Sequence, residues 1–156
     1  MTNRLETLED WAAGLLGQLE LASRIKLARS IGQALRRSQQ QRIIAQQNPD
    51  GNKYAPRKQR NLRGKQGRVK LKVKMFQKLR TASFLQVKGD GNSISLSFTG
   101  RVARIARVHQ YGLKDRAERG ASETRYERRE ILGFTTDEFD AIKDMLLVHL
   151  LLTNQP

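Results

Sequence analysis

The sequence predicts an α+β fold in which long N-terminal helices and a C-terminal helix pack on a small antiparallel sheet, with a mobile basic arm attached. Three observations support this prediction. Apolar residues recur at helical spacing through positions 1–47, two alternating segments flank a turn at 89–92, and a capping motif at 135–138 precedes a long apolar stretch. The length of 156 residues suits one domain, which we divide into a helical part at 1–47, a basic arm at 52–68 and an α+β core at 69–152.

Two helices are predicted at the N-terminus. An apolar stripe at helical spacing extends from Leu5 to Leu19, and Asn3 with Glu6 has the pattern of a capping box. A second stripe extends from Leu21 to about Gln47, and cationic side chains occupy other faces of that helix. The turn-forming sequence Asn-Pro-Asp-Gly at 48–51 is expected to end it.

A strongly basic segment follows the second helix. Between Lys53 and Arg80 there are twelve lysines and arginines and no aspartate or glutamate, in a chain of formal net charge +15. Residues 52–68 lack apolar periodicity and contain Pro56, Gly64 and Gly67, so they are expected to form a flexible loop or arm. Charge of one sign favours contact with an anionic partner, and the alternative is a solvated arm without a partner. The residues expected to face the partner are Lys53, Arg57, Lys58, Arg60, Arg63, Lys65, Arg68, Lys70, Lys72 and Lys74.

The segment after the arm has two competing interpretations. Val69, Leu71 and Val73 alternate with basic side chains, which is typical of a strand with a cationic outer face. The competing interpretation is a helix that begins near this point and continues through the next apolar residues. We favour a helix at least from Met75 to Thr81.

A β-hairpin and a third helix are predicted next. The alternating segments 84–88 and 93–98 flank a glycine-rich turn, which is a strong hairpin signal. Thr99 is a candidate N-cap for a helix from about Arg101 to Gln110, and Gly112 is expected to close that helix.

The last helix follows a polar loop that is expected from Leu113 to Thr124. Residues Thr135 to Glu138 form a capping box, and Phe134 and Phe139 stand where a hydrophobic staple places them. These signals predict a helix from Thr136 to about Leu152. Its final turns are apolar nearly all round, which predicts burial on more than one side and is most easily met by a subunit interface.

The chain has few residues arranged for catalysis, so an enzyme is not predicted. Cysteine is absent, and His109 and His149 lie on separate predicted helices without a metal-binding partner at helical spacing. Asp137, Glu138 and Asp140 cluster, but the first turn of a helix favours negative charge without any bound metal. We therefore expect no cofactor, no metal and no small-molecule substrate. The longest apolar run is too short to cross a bilayer, so no membrane contact is expected either.

Three stretches carry a family resemblance: Gln46 to Lys58 at the end of the second helix, Arg104 to Gly112 at the end of the third, and Tyr126 to Phe134 before the last. In this order and spacing they resemble the virion morphogenesis, or tail completion, family of contractile-tailed bacteriophages. The resemblance extends from about Leu21 to Leu151. The chain departs from the family pattern in having Tyr54 in place of tryptophan and Glu127-Arg128 in place of Pro-Ala.

The resemblance implies a structural protein that acts late in tail assembly, at the end of the tail that meets the head, and enables head–tail joining. It implies copies in a homo-oligomeric ring, next to the tail terminator or tail tube and the head–tail connector, with the duplex DNA end as a further candidate contact of the arm. The protein would be made in the host cytoplasm and end in the virion. Residues proposed for the assembly interfaces are His109, Gln110, Tyr111, Gly112, Arg129, Leu132, Leu147 and Leu151.

An alternative from another class is a small nucleic-acid-binding protein whose arm contacts phosphates without reading sequence. Aromatic side chains are sparse near the basic segment, which argues against a stacking platform for single strands. This alternative requires that the protein bind free nucleic acid with an affinity that falls steeply as salt rises.

Overall fold

A computed structural model describes residues 4–17, 19–57, 74–116 and 119–153. This part of the chain contains four helices and two short antiparallel ladders, which confirms the α+β prediction. In chain order the elements are α1 (Arg4–Leu16), α2 (Leu21–Ala45), β1 (Leu85–Gly89), β2 (Ile94–Phe98), α3 (Val102–Tyr111), β3 (Lys114–Asp115), β4 (Thr124–Arg125) and α4 (Thr136–Thr153).

The hairpin of β1 and β2 packs against α2. The two strands pair antiparallel from Leu85 opposite Phe98 to Gly89 opposite Ile94. The Asp90 carboxylate closes the turn by accepting hydrogen bonds from the backbone N–H groups of the residues two and three positions on, both at 2.7 Å. Close approach to the helix requires glycine at position 32, because a Cβ there would lie 2.3 Å from Val87 Cγ1.

One apolar core joins α1, α2 and α4. It contains ten buried residues from these helices and the turn between the first two: Leu8, Ala12, Leu19, Leu27, Ile31, Leu35, Phe139, Ile142, Leu146 and Leu150. At the start of α4, the Glu138 N–H donates to Thr135 Oγ1 at 3.2 Å and the Thr135 N–H donates to Glu138 Oε2 at 2.8 Å. The Phe134 and Phe139 rings lie 5.2 Å apart. The predicted capping box and hydrophobic staple are both present.

A second, smaller core lies at the other end of α2. Ile43 from α2 packs with Leu79, with Ala106 from α3 and with Ile131 from the segment that precedes α4. Ile43 and Ile131 have no solvent exposure. This core brings together the end of α2, the end of α3 and the entrance to α4, which are the three regions of the family resemblance.

The predicted helix from Met75 to Thr81 is wrong. These residues form turns, and Phe76 has a φ of 63°, a left-handed backbone conformation that an α-helix does not contain. The Phe76 ring contacts both Tyr54 and His109 edge to face, at centroid distances of 5.6 and 4.9 Å. Tertiary contacts thus determine the conformation of this segment, and local helical propensity does not.

Two smaller expectations also need correction. Thr99 does not cap α3: its N–H donates to Phe84 O and extends the hairpin, and Arg101 is the N-cap residue. The expected loop at 113–124 contains β3, which pairs with β4. At the end of α4, Leu147 and Leu151 are 44% and 71% exposed within one chain, so burial of this side by a neighbouring subunit stays a prediction. The capping box at Asn3 and the strand at 69–73 lie outside the described residues.

Candidate assembly site

The candidate site is centred on Arg129, a buried arginine with 4% exposure. Its Nε donates to Ala55 O and its Nη2 to Pro56 O, both at 2.7 Å. Its Nη1 lies 3.1 Å from His109 Nδ1 and 3.3 Å from Glu127 O. One guanidinium fork therefore ties the first residues of the predicted arm to the end of α3 and to the segment before α4.

His109 is held neutral by this arrangement. A guanidinium can only donate, so His109 Nδ1 accepts the hydrogen bond and the ring proton lies on Nε2. Burial lowers the pKa of His109 to about 4, and the nearby Arg129 charge acts in the same direction. Burial also lowers the pKa of the Arg129 guanidinium below its ordinary value, but at neutral pH the arginine remains the cation of the pair.

Gln110 fixes the strand-like segment that follows Arg129. Its Oε1 accepts from the N–H groups of Ile131 and Leu132 at 2.8 and 2.9 Å, and its Nε2 donates to Leu132 O at 2.6 Å. The amide side chain thus satisfies three backbone groups that no neighbouring strand pairs. Gly112 closes α3 with a φ of 63°, and a Cβ there would lie 3.2 Å from the Arg128 backbone nitrogen.

Polar residues of α2 hold the same segment from its other side. Arg42 donates to Ile131 O and Gly133 O at 3.2 and 3.1 Å and lies 3.6 Å from the Glu138 carboxylate. Gln39 donates to Gly133 O and to Glu138 Oε1, both at 2.8 Å. Arg42 also donates to Gln39 Oε1. The buried charge of Arg42 is therefore paired and hydrogen-bonded, as a buried charge requires.

The turn after α2 adds a further anchor. Asn48 Oδ1 accepts from the Glu130 N–H at 2.8 Å, while Asn48 Nδ2 donates to Asn52 O at 3.1 Å. The Asp50 carboxylate accepts from the Asn52 N–H at 2.9 Å, which keeps the pKa of this carboxyl below its ordinary value. The turn residues that follow α2 thereby also position Glu130, which is next to Arg129 in the chain.

Gln46 joins this site to the far end of the basic segment. Its Oε1 accepts from the Met75 N–H at 2.6 Å and its Nε2 donates to Met75 O at 2.9 Å. Gln46 occupies the C-cap of α2 in a left-handed conformation with a φ of 59°. The Gln46 side-chain amide bonds both backbone groups of Met75, as a neighbouring strand would, and so holds Met75 at the end of α2.

An aromatic row continues the same connection. Tyr54, Phe76, His109 and Tyr126 contact one another in sequence, edge to face, with centroid distances of 5.6, 4.9 and 5.1 Å. Burial raises the pKa of Tyr54 to about 12, so its phenol stays neutral. Arg129, Gln46 and this row together hold the two segments that flank residues 58–73. We call these residues, together with Gln110, Gly112 and Leu132, the assembly node.

Two comparisons with known proteins match nearly the whole chain. The model of the phage virion morphogenesis family matches residues 3–151 of the chain. The chain is also 39% identical over 149 residues to tail completion protein S of Escherichia phage P2, an alignment that covers 95% of this chain and 98% of the relative. The chain belongs to the phage virion morphogenesis family. No solved structure significantly matches this chain.

The family membership confirms the resemblance inferred from three stretches, and the assembly node shows what those stretches do together. Arg129, His109 and Gln110 bind one another's segments. Glu127 belongs to one of the two departures from the family pattern. Its carbonyl oxygen accepts from Arg129, and its negative charge favours the cationic form of Arg129. The other departure, Tyr54, places its ring in the aromatic row.

The structure divides the predicted interface residues into two groups. His109, Gln110, Gly112, Arg129 and Leu132 belong to the assembly node and contribute side-chain or backbone groups to its internal contacts. Tyr111, Leu147 and Leu151 are exposed. The first group makes contacts within the chain, and the second group is open to solvent; a role of either group between molecules stays a prediction.

Three of the predicted arm residues are described. Lys53, Arg57 and Lys74 are exposed and flank the basic segment where it leaves and rejoins the node. The others, Lys58, Arg60, Arg63, Lys65, Arg68, Lys70 and Lys72, lie outside the described residues. Their role stays a prediction.

Sequence reasoning missed Gln39, Arg42 and Gln46. Gln39 and Arg42 continue the apolar stripe of α2 beyond Leu35 at helical spacing and lie on its buried face, and Gln46 follows four residues later at the C-cap. Buried polar side chains on a helix need hydrogen-bond partners, such as the backbone groups of an extended segment outside the helices and strands. That signal was available in the sequence.

Among the described residues, no three histidine, cysteine, aspartate or glutamate side chains come together as ligands for a metal ion. None of the helices in the described ranges has the length and apolar character needed to span a membrane.

Proposed function

We propose that this protein is a structural tail completion protein that acts late in virion assembly, at the head-proximal end of the tail, and enables heads and tails to join. The name of the phage P2 relative supports a role in tail completion. The observation that supports the finer proposal is the assembly node, which holds both ends of a strongly basic segment by hydrogen bonds to Ala55, Pro56 and Met75. Arg129, Gln46 and Gln110 are hydrogen-bonded to backbone groups, which suits a structural role.

The basic segment is the part proposed to contact a neighbour at the joint. Seven of its sixteen residues between 58 and 73 are lysine or arginine and none is acidic. Exposed Arg57 and Lys74 continue the charge at its two ends. A segment of this charge suits the duplex DNA end or an acidic surface of the head–tail connector.

The protein is proposed to work as several copies in a ring, between the tail terminator or tail tube and the head–tail connector. A closed ring uses heterologous contacts, so each subunit needs two different surfaces that fit each other. Synthesis in the host cytoplasm and incorporation into the virion follow from this role.

Electron microscopy of a mutant lysate tests the proposed role. The phage would carry an early stop codon in this reading frame alone. We expect DNA-filled heads and full-length tails that remain unjoined. Joined, infectious virions would overturn the proposal, and so would an absence of full-length tails, because that result places the protein at an earlier step.

Complementation by charge variants tests the role of the basic segment. The arm variant replaces Arg57, Lys58, Arg60 and Arg63 with glutamine. The matched control removes the same charge from exposed positions elsewhere, by replacing Lys26, Arg29, Arg37 and Lys88 with glutamine. We expect the arm variant to fold normally and fail to restore plaques, while the control restores them. Equal complementation by both variants would remove the proposed role of the arm.

The nucleic-acid-binding alternative gives a different pattern. It predicts that the purified protein binds free duplex DNA with an affinity that falls steeply between low and physiological salt. Strong binding of this kind, together with normal joining in the stop-codon lysate, would favour the alternative.

A further inference from the structure

The outer face of α4 carries an ordered pattern that the fold does not use. Asp137, Asp140, Asp144, Leu147 and Leu151 follow one another at spacings of three and four residues, so they form one stripe along the helix. The stripe faces away from the core, and all five residues are exposed. Its first half is acidic and its second half is apolar. Such spacing is typical of a helix that packs along another helix.

The apolar half of this stripe is large enough to require a partner. Val148 adjoins it with 55% exposure, and Leu147 and Leu151 are 44% and 71% exposed. Contiguous exposed leucines on a helix mark an interaction surface, because each leaves apolar area in contact with water.

The outer face of α3 has the opposite charge. Arg101, which caps α3, and Arg104 and Arg107 within it are exposed, and Ile105 and Tyr111 add apolar surface with 46% and 64% exposure. Arginine and tyrosine around apolar side chains are the residue types favoured at the centre of protein interfaces. The three arginines precede Tyr111, as the three aspartates of α4 precede Leu147.

The two faces match in length as well as in charge. At the helical rise of about 1.5 Å per residue, Arg101 to Arg107 spans about 9 Å and Asp137 to Asp144 about 10 Å. A parallel, side-by-side arrangement therefore places the arginines near the aspartates and Tyr111 near the leucines.

We propose that the α4 stripe of one molecule docks on the outer face of α3 of a second copy of this chain. The contact is heterologous, because one molecule contributes its α4 stripe and the other contributes the outer face of its α3. This contact joins neighbouring subunits of the proposed ring, so the inference rests on the proposed function.

Symmetric pairing of α4 with α4 fits the pattern less well. In a parallel pair, aspartates face aspartates along half of the contact. In an antiparallel pair, Asp144 lies at the centre and faces its own copy, while aspartates lie opposite leucines. Both arrangements bring like charges together or bury carboxylates against apolar side chains.

Existing contacts within the chain do not block the proposed interface. Arg104 forms an exposed ion pair with Asp115, and Lys143 Nζ lies 3.9 Å from Asp140 at an exposed site. Exposed pairs of this kind contribute little and exchange partners readily. Among the described residues, Asp137 and Asp144 have no ion-pair partner within 4.0 Å.

The test is sedimentation velocity of the purified, full-length protein over a range of concentrations. Two charge-reversal variants are compared with wild type: Arg101→Glu with Arg107→Glu on α3, and Asp140→Lys with Asp144→Lys on α4. We expect wild type to associate reversibly and each variant to associate at least about tenfold more weakly. The control, Lys26→Glu with Arg29→Glu on α2, should associate like wild type. Circular dichroism checks that all variants fold.

Mixing the two reversal variants gives the decisive result. Each variant presents two faces of like charge and cannot bind itself, but in a mixture the reversed α3 face of one meets the reversed α4 face of the other. The unreversed faces are complementary as well, so association should return. This readout uses purified protein, so it separates failure of the interface from failure of the role in virion assembly.

Several results would overturn the inference. A wild-type protein that stays monomeric at all concentrations would do so, as would reversal variants that associate like wild type. Loss of association in both variants without recovery on mixing would also overturn it. So would association that appears only when duplex DNA is added, because nucleic acid would then be the occupant of the arginine face.

Discussion

Replacing Arg129 with alanine should destabilise the protein far more than the same change at its neighbour. Arg129 is buried and makes two hydrogen bonds of 2.7 Å from a charged donor, to Ala55 O and Pro56 O, besides its longer contacts. Hydrogen bonds from charged groups contribute about 1.5–3 kcal/mol each, so we expect a loss of about 3–5 kcal/mol. Arg128→Ala is the matched control. Its side chain is 67% exposed and pairs with Glu130 on the surface, so its loss should be below about 1 kcal/mol.

Urea unfolding followed by far-UV circular dichroism measures both values. Arg129→Lys adds a second comparison, since it keeps the charge but replaces the planar fork with a single ammonium group. We expect its stability to lie between wild type and Arg129→Ala. If Arg129→Ala and Arg128→Ala lose the same free energy of unfolding, the assembly node is not held together by Arg129, and the argument for it fails.

Three further predictions concern single positions. Because the folded-state pKa of His109 is about 4 and its ordinary value is 6.5, unfolding takes up a proton between these values. Stability should be full above about pH 6.5 and fall by about 1–2 kcal/mol toward pH 4 after allowance for solvent, and His109→Gln should flatten the curve of urea midpoint against pH in that window. Gly32→Ala, which stabilises an ordinary helix, should here cost about 1–3 kcal/mol because its Cβ meets Val87, and an unchanged or raised melting temperature would contradict the packing described. Gln46→Gly should relieve the left-handed backbone yet lower stability by about 1 kcal/mol through loss of both bonds to Met75, whereas a gain in the urea midpoint would show that Gln46 does not hold that segment.

The helices and the hairpin could be predicted because their signals are local. Apolar spacing located α1, α2 and α3 to within a few residues, and the capping box at Thr135 and Glu138 fixed the start of α4. The turn at Asp90 likewise carries its own chemistry, since its carboxylate binds the next backbone N–H groups. Elements with such local causes need no knowledge of the rest of the fold.

The segment from Met75 to Thr81 could not be predicted in this way. Its sequence is compatible with a helix, but Gln46 binds Met75 from 29 positions away in the chain and Phe76 inserts between Tyr54 and His109. Contacts between distant residues override propensity there. The same limitation applies to Arg129, which was proposed from the sequence as an interface residue, whereas its acceptors at Ala55 and Pro56 became visible only in the folded chain.

Direct addition of the purified protein to a lysate of the stop-codon mutant tests the central claim most closely. Such a lysate should contain filled heads and finished tails that wait only for this protein, so adding it should produce joined particles in the microscope and a rise in plaque titre. The rise should follow the amount of wild-type protein added and should be lost with the arm variant. Heads and tails that stay unjoined after addition of folded wild-type protein would contradict a late role at the head-proximal end of the tail.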